Sequence, residues 1–172
     1  MALSNNVLQS LGDVYQFAVV NGYPWKKLGP RTIVDCGGGE GNLSINLAAM
    51  CVHETSQIWN STYSGVPNSL PDCRLIVQDL PEVVPLARAN IERDIPVAFK
   101  EGRIIAETHN FFEPQPRVSD DGIFMFRYIL HDWPDADCIS ILKNTMKAMG
   151  RKVRVVRLTY SCMVSYMRSQ KF

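Results

Sequence analysis

The 172-residue chain has few histidines, no excess of either charge and no long apolar run, and each shortage closes off a class of function. Its three histidines, at 53, 109 and 131, show no metal-ligand spacing such as H-E-x-x-H, so no metal site is expected. The five cysteines, at 36, 51, 73, 138 and 162, are odd in number and include no C-x-x-C pair, which argues against a disulfide framework or a zinc knuckle. With 18 basic residues against 17 acidic, the formal charge is +1, so no broad field draws the chain to nucleic acid or lipid headgroups. A small-molecule ligand suits it better. No apolar stretch approaches the roughly 20 residues of a membrane span, and no basic region precedes an apolar one at the N-terminus, so a cytoplasmic location is expected. Repeats and low-complexity tracts are missing too.

What remains is ordinary globular usage, 46% apolar and 20% charged, enough for one domain with a real core. The most informative stretch is Thr32 to Ser44, T-I-V-D-C-G-G-G-E-G-N-L-S, where an apolar strand runs into an acid and a glycine loop before a helix opens. Asp35 closes the strand, and Gly37, Gly39 and Gly41 alternate. Asn42 can cap a helix whose apolar side is Leu43, Leu47 and Met50. Glycine reaches positive φ and leaves no Cβ between the backbone and a bound molecule. Dinucleotide folds use G-x-G-x-x-G, whose third glycine falls one place beyond Gly41, and a P-loop needs a lysine that is missing here. A carboxylate two residues before the first loop glycine is awkward for pyrophosphate and suits a positively charged sulfonium. The loop therefore points to S-adenosylmethionine; the plainer alternative is a strand-to-helix turn that binds nothing.

Along the chain, apolar residues at Leu8, Leu11, Tyr15 and Val19 predict a leader helix within residues 1–30, stopped by Gly22 and Pro24. Residues 31–150 then alternate strand and helix. Strands are expected at Arg31 to Asp35, Cys73 to Gln78, Arg103 to Thr108 and Gly122 to Phe126. Helices are expected from Asn42 to Cys51, from Pro81 with Val84, Leu86, Ala87 and Ile91, and from Pro134 to Met149 with Ile139, Leu142 and Met146 on one side. Such alternation favours an α/β fold, a mostly parallel sheet with helices on both faces. Residues 53–71 interrupt it with a polar, Gly- and Pro-containing stretch longer than the usual connection of about 2–6 residues. The tail, 151–172, begins as a strand and then loses any period.

Three further positions carry chemistry. Asp79 ends the second strand, where open parallel sheets place a ribose-binding group, although D-L-P-E also reads as a helix cap. In H-N-F-F-E-P-Q-P, Asn110 can hydrogen-bond an adenine amino group and Phe111 can face the ring; alone, the segment also reads as a core-filling loop. His131 falls just beyond the fourth strand, before a helix started by Pro134 with Asp135 and Asp137 in its first turn. Its plainer alternative is a packed histidine beside a capping Asp132. A nicotinamide-dependent reductase is disfavoured, since the one Y-x-x-x-K, Tyr23 to Lys27, contains Pro24 and precedes the first strand.

Taken in order, Y-P-W-K-K-L-G, T-I-V-D-C-G-G-G-E-G-N-L-S, V-Q-D-L-P-E-V-V, N-F-F-E-P-Q-P and I-L-H-D-W-P-D-A-D-C resemble the S-adenosylmethionine-dependent O-methyltransferases of fungal and plant secondary metabolism, closer to the fungal type. The resemblance spans about Gly22 to Met149 and implies a Rossmann-like class I methyltransferase core. It implies cofactor contacts at the glycine loop, Gly38 and Gly39 among them, ribose contact by Asp79, adenine contacts around Asn110 and Phe111, and a basic contact at Arg127. It also implies His131 as general base toward a phenolic or polyketide-like hydroxyl: a phenol near pKa 10 is a poor nucleophile until an imidazole near 6.5 removes its proton. Family members carry Asp where Asn110 stands, and they are usually homodimers through an N-terminal helical domain. That domain and the C-terminal pocket segments are not recognisable here, so the core is expected to be truncated, incomplete at its C-terminus. Residues 53–71 and the tail read as foreign sequence, as retained introns or a shifted frame would produce. The alternative function is a catalytically inactive, cofactor-binding remnant or interaction fragment.

Overall fold

The computed structural model describes residues 32–51, 73–116, 122–149, 154–158 and 165–167. The expected leader helix and the 53–71 insertion lie outside them. Within them are strands β1 (Thr32–Cys36), β2 (Arg74–Asp79), β3 (Ile104–Thr108), β4 (Ile123–Arg127), β5 (Arg154–Leu158) and β6 (Ser165–Met167), and helices α1 (Asn42–Cys51), α2 (Val84–Asp94), α3 (Pro96–Lys100) and α4 (Asp135–Met146).

The strands form one sheet in the order β3-β2-β1-β4-β5-β6. The first five run parallel, and β6 pairs antiparallel with β5 along the edge. Part of the aperiodic tail is thus edge sheet, with Val155 in register with Phe124.

Near-continuous apolar runs such as I-F-M-F are what a strand covered on both faces requires, and alternate residues do serve opposite faces. Ile33, Leu75, Val77, Ile104, Ile123 and Met125 pack with Leu43 and Leu47 of α1, Ala87 and Ile91 of α2 and Ala98 of α3. Val34, Cys36, Ile76, Phe124 and Phe126 pack on the other face with Ile141 of α4 and with Ala148. Each large apolar side chain so buried contributes about 1.5–3 kcal/mol.

Helix starts and faces depart from expectation. The Gly41 carbonyl accepts the Ile45 N–H at 2.8 Å, so Gly41 opens α1 and Asn42 is its first residue rather than its cap. Helix α2 begins at Val84 rather than Pro81: the Val83 N–H closes a tighter turn on the Leu80 carbonyl at 3.0 Å, and Pro85, which has no N–H, interrupts the run of bonds begun by Val84 to Leu80 at 3.2 Å. Its buried residues are Ala87, Asn90 and Ile91, whereas Leu86 is 49% exposed. Asn90 tolerates burial by donating from Nδ2 to the Glu40 carbonyl. In α4 the expected stripe is kept only in Leu142, which packs against the sheet's core: Ile139 and Met146 are more than half exposed, and the buried residues are Ile141 and Thr145. Thr145 is accommodated because its Oγ1 donates to the Ile141 carbonyl at 3.0 Å.

Candidate functional site

From β1 the chain moves one way to β2 and β3, then returns to β4 on the other side of β1. Such a reversal opens a crevice at the carboxyl ends of the strands, the usual ligand position in open α/β sheets. The glycine loop leaves β1 at that crevice. Its Gly37 and Gly38 N–H groups donate to the Gln78 carbonyl at 2.8 and 3.1 Å, and its Gly39 N–H donates to Asp79 Oδ2 at 2.8 Å.

Two of these glycines show opposite surroundings. A Cβ on Gly38 would lie 2.8 Å from Val77 Cγ1 and 3.0 Å from Asp35 Cγ, so the loop rests directly on the core there. A Cβ on Gly39 would meet nothing within 4 Å, and its φ of +57° suits glycine. Open space above a bare backbone turn is what a closely approaching ligand needs.

Asp35 lies beneath the loop, 2% exposed, with its Oδ2 accepting the Ser44 hydroxyl at 2.8 Å. Burial pushes its carboxyl pKa up, against the opposing pull of the Ser44 bond and the Arg127 charge. Burial likewise pushes the Cys36 thiol well up, which leaves it unreactive.

Asp79 holds the loop rather than a helix. Its Oδ1 accepts the Leu80 N–H at 2.8 Å, while α2 is flanked by Val83, which makes no side-chain cap. The cap reading of Asp79 is therefore corrected. Each carboxylate oxygen has acceptor capacity beyond its one backbone bond.

A cleft of about 330 Å³ opens beside these groups, within the usual range for small-ligand sites of about 300–1,000 Å³. Four residues singled out from sequence line it together: Gly37, Asp79, Asn110 and Phe111. Leu80, His109, Phe112, Ile129 and Trp133 line it as well and were given no ligand role on sequence. Trp133 packs edge-on to Phe111 and Phe112, with centroids at 6.0 and 4.8 Å, and so builds an aromatic wall from two distant segments. The signal was present in H-D-W-P, an aromatic two places beyond His131.

Polar bonds fix that wall. Asn110 Oδ1 accepts the Phe112 N–H at 3.0 Å, Asn144 Nδ2 donates to the Phe112 carbonyl at 2.6 Å, and Gln115 and Gln78 exchange reciprocal amide bonds at 2.8 and 2.9 Å. Gln78 also donates to Glu107 Oε1 at 2.8 Å.

His131 and Arg127 are not among the cleft's lining residues. Tyr128 after β4 adopts a φ of +57°, a left-handed conformation that turns the chain sharply at the sheet's rim. Arg127 lies over the Tyr128 ring at 5.5 Å, and that ring meets His131 edge-on at 5.9 Å. His131 Nδ1 is 3.5 Å from Asp132 Oδ1. Pro134, not Asp132, flanks the start of α4, with no side-chain cap. Among the described residues no cluster of three or more His, Cys, Asp or Glu is arranged for a metal ion, and no helix is long and apolar enough to cross a membrane.

A parallel sheet reversing at β1, a glycine loop after that strand and a carboxylate closing the next define a nucleoside-type α/β domain. More particularly, the chain belongs to the O-methyltransferase domain family, whose match covers residues 2–171. It is 36% identical over 138 residues to the grayanic acid biosynthesis cluster O-methyltransferase of Cladonia grayi, covering 80% of this chain and 25% of that protein. It is 34% identical over 138 residues to the 6-hydroxytryprostatin B O-methyltransferase of Aspergillus fumigatus, covering 80% and 32% respectively. The chain thus spans about a quarter to a third of the length of these relatives. Among solved structures, that of LepI in complex with SAM is similar, at 27% identity and a TM-score of 0.57 over 80% of this chain and 31% of LepI.

Proposed function

We propose that this protein is an S-adenosylmethionine-dependent O-methyltransferase acting on a hydroxyl of a small aromatic, phenolic or polyketide-like metabolite. The observation that carries the reading is the Asp79 carboxylate, tied to Gly39 at 2.8 Å on the wall of a cleft, in a chain of the O-methyltransferase domain family. The residues present fit that cofactor: the turn at Gly39 is open, and the acceptor carboxylate bonded to it shares a cleft with an aromatic wall. When bound, S-adenosylmethionine supplies an electrophilic methyl group on a positively charged sulfur.

In this reading Asp79 accepts the ribose hydroxyls, the bare backbone at Gly39 allows close approach, Gly37 lines the cleft, and Gly38 and Gly41 let the loop settle on the core beneath it. Asn110, Phe111 and Trp133 hold the base between polar and aromatic surfaces. Asp35 supports the loop from below, and Arg127 provides a basic contact at the rim. His131 takes the proton of the acceptor hydroxyl on Nε2, while Asp132 steadies Nδ1 from 3.5 Å. The hydroxylated substrate class follows the 6-hydroxytryprostatin B named for the Aspergillus relative.

The test is a phenol panel with the His131→Ala variant, in which methyl transfer should fall at least about 100-fold while S-adenosylhomocysteine binding is retained. Loss of binding and transfer together would mark His131 as structural. A second reading, cofactor binding without turnover, is favoured by the position of His131 outside the cleft walls. Tight S-adenosylhomocysteine binding with no transfer to any phenol would select it.

A further inference from the structure

A cleft that holds adenosine must distinguish adenine from other flat bases, and the distinction lies on the polar edge, where adenine offers an amino donor beside a ring-nitrogen acceptor. A matching wall needs an acceptor and a donor side by side. Asn110 Oδ1 receives the Phe112 N–H at 3.0 Å, which takes one of its two acceptor sites and fixes the amide, so a further acceptor beside it would strengthen the reading of the amino group. Its amide nitrogen is a donor only.

The adjacent residue supplies that further acceptor. His109 lines the same cleft, and its own N–H donates to the Asp79 carbonyl at 2.9 Å, which anchors it beside the ribose carboxylate. It is 9% exposed, and among the described residues no side chain or carbonyl is hydrogen-bonded to its ring. Glu107 and Glu113, the charged groups acting on it, do not offset the burial, which pushes its pKa down and keeps the imidazole neutral at pH 7. A neutral imidazole carries one acceptor nitrogen.

Building on the cofactor reading above, we propose that His109 and Asn110 together read the adenine edge, the His109 ring accepting from the exocyclic amino group and Asn110 Nδ2 donating to a ring nitrogen. His109 is then a specificity-determining residue, distinct from the base assigned to His131.

Isothermal titration of the whole chain near pH 8 with S-adenosylhomocysteine and with S-inosylhomocysteine tests this, since the second probe replaces the amino donor by a carbonyl. The chain should prefer the adenosyl probe by about tenfold or more. His109→Phe should weaken adenosyl binding and leave inosyl binding nearly unchanged, collapsing the preference to about twofold, and His109→Gln, which restores an acceptor oxygen, should recover part of it. Equal weakening of both probes, or unchanged adenosyl affinity in His109→Phe, would overturn the proposal while leaving the cofactor reading intact. Should His109→Phe fail to fold, His109→Gln alone decides, because loss of the preference there refutes an acceptor role. Failure of the unaltered chain to bind either probe would refute the cofactor reading and this inference with it.

Discussion

Replacing Asp79 by alanine tests the join between loop and strand. The substitution deletes two charge-assisted bonds, Gly39 N–H to Oδ2 and Leu80 N–H to Oδ1, both at 2.8 Å. Bonds to charged groups contribute about 1.5–3 kcal/mol each when well shielded. Asp79 is only half-buried and water can replace part of each bond, so the expected loss is on the order of 2 kcal/mol for the pair. In a domain of this size that is a fall in Tm of roughly 4–8 °C. Asp79→Asn should fall between, since one amide oxygen can keep one acceptor bond while the NH₂ faces a donor. In the cofactor reading the ribose bonds go as well, so S-adenosylhomocysteine affinity should drop about 10- to 100-fold. Differential scanning calorimetry and titration calorimetry on the same samples give both quantities. An unchanged Tm would refute the loop-anchoring role, and an unchanged affinity at reduced Tm would refute the ribose role alone.

The other expectations are simpler. Gly38→Ala forces a Cβ to within 2.8 Å of Val77 Cγ1 and should cost about 1–3 kcal/mol by urea denaturation. Gly39→Ala meets nothing within 4 Å, so its cost is confined to about 1–2 kcal/mol of backbone strain, yet it should weaken S-adenosylhomocysteine binding more than Gly38→Ala does for each degree of Tm lost. Asp35→Asn should raise the urea midpoint of the ligand-free chain near pH 7. Folding lifts the Asp35 pKa above its ordinary 3.8, so its contribution to stability is fully present below that value and lost as pH rises through the folded pKa. The variant keeps the Ser44 bond through its amide oxygen and should flatten that pH dependence; a lower midpoint at neutral pH would show that the ionised carboxylate is needed.

Much of the framework was legible because β1 to β4 obey one rule: a continuous apolar run ending in a polar residue or glycine at the sheet's rim. Observed strand limits differ from expectation by about one residue, the scale on which such boundaries are defined. Helix faces were less legible. Apolarity alone selected Leu86, Ile139 and Met146, but burial went to Asn90 and Thr145, whose polar groups found carbonyls, of the distant Glu40 and the neighbouring Ile141, that no periodicity reveals. The cleft residues Asp79, Asn110 and Phe111 stood out because the first ends a strand and the other two lie within three residues of one. His109 shares the Asn110 segment and directly follows β3, but a lone histidine there carries no ligand signature, while Trp133 and Ile129 reach the cleft through packing between segments distant in sequence.

The aromatic side of the cleft is stitched at three points: Phe112 to Asn144, Gln115 to Gln78, and Asn110 to its own turn. Such a surface has little freedom left to surrender when a guest arrives, so a flat base docking there forfeits mainly its own mobility. Affinity at this side should accordingly track the fit of the guest's ring, with scant heat-capacity signature of segment ordering.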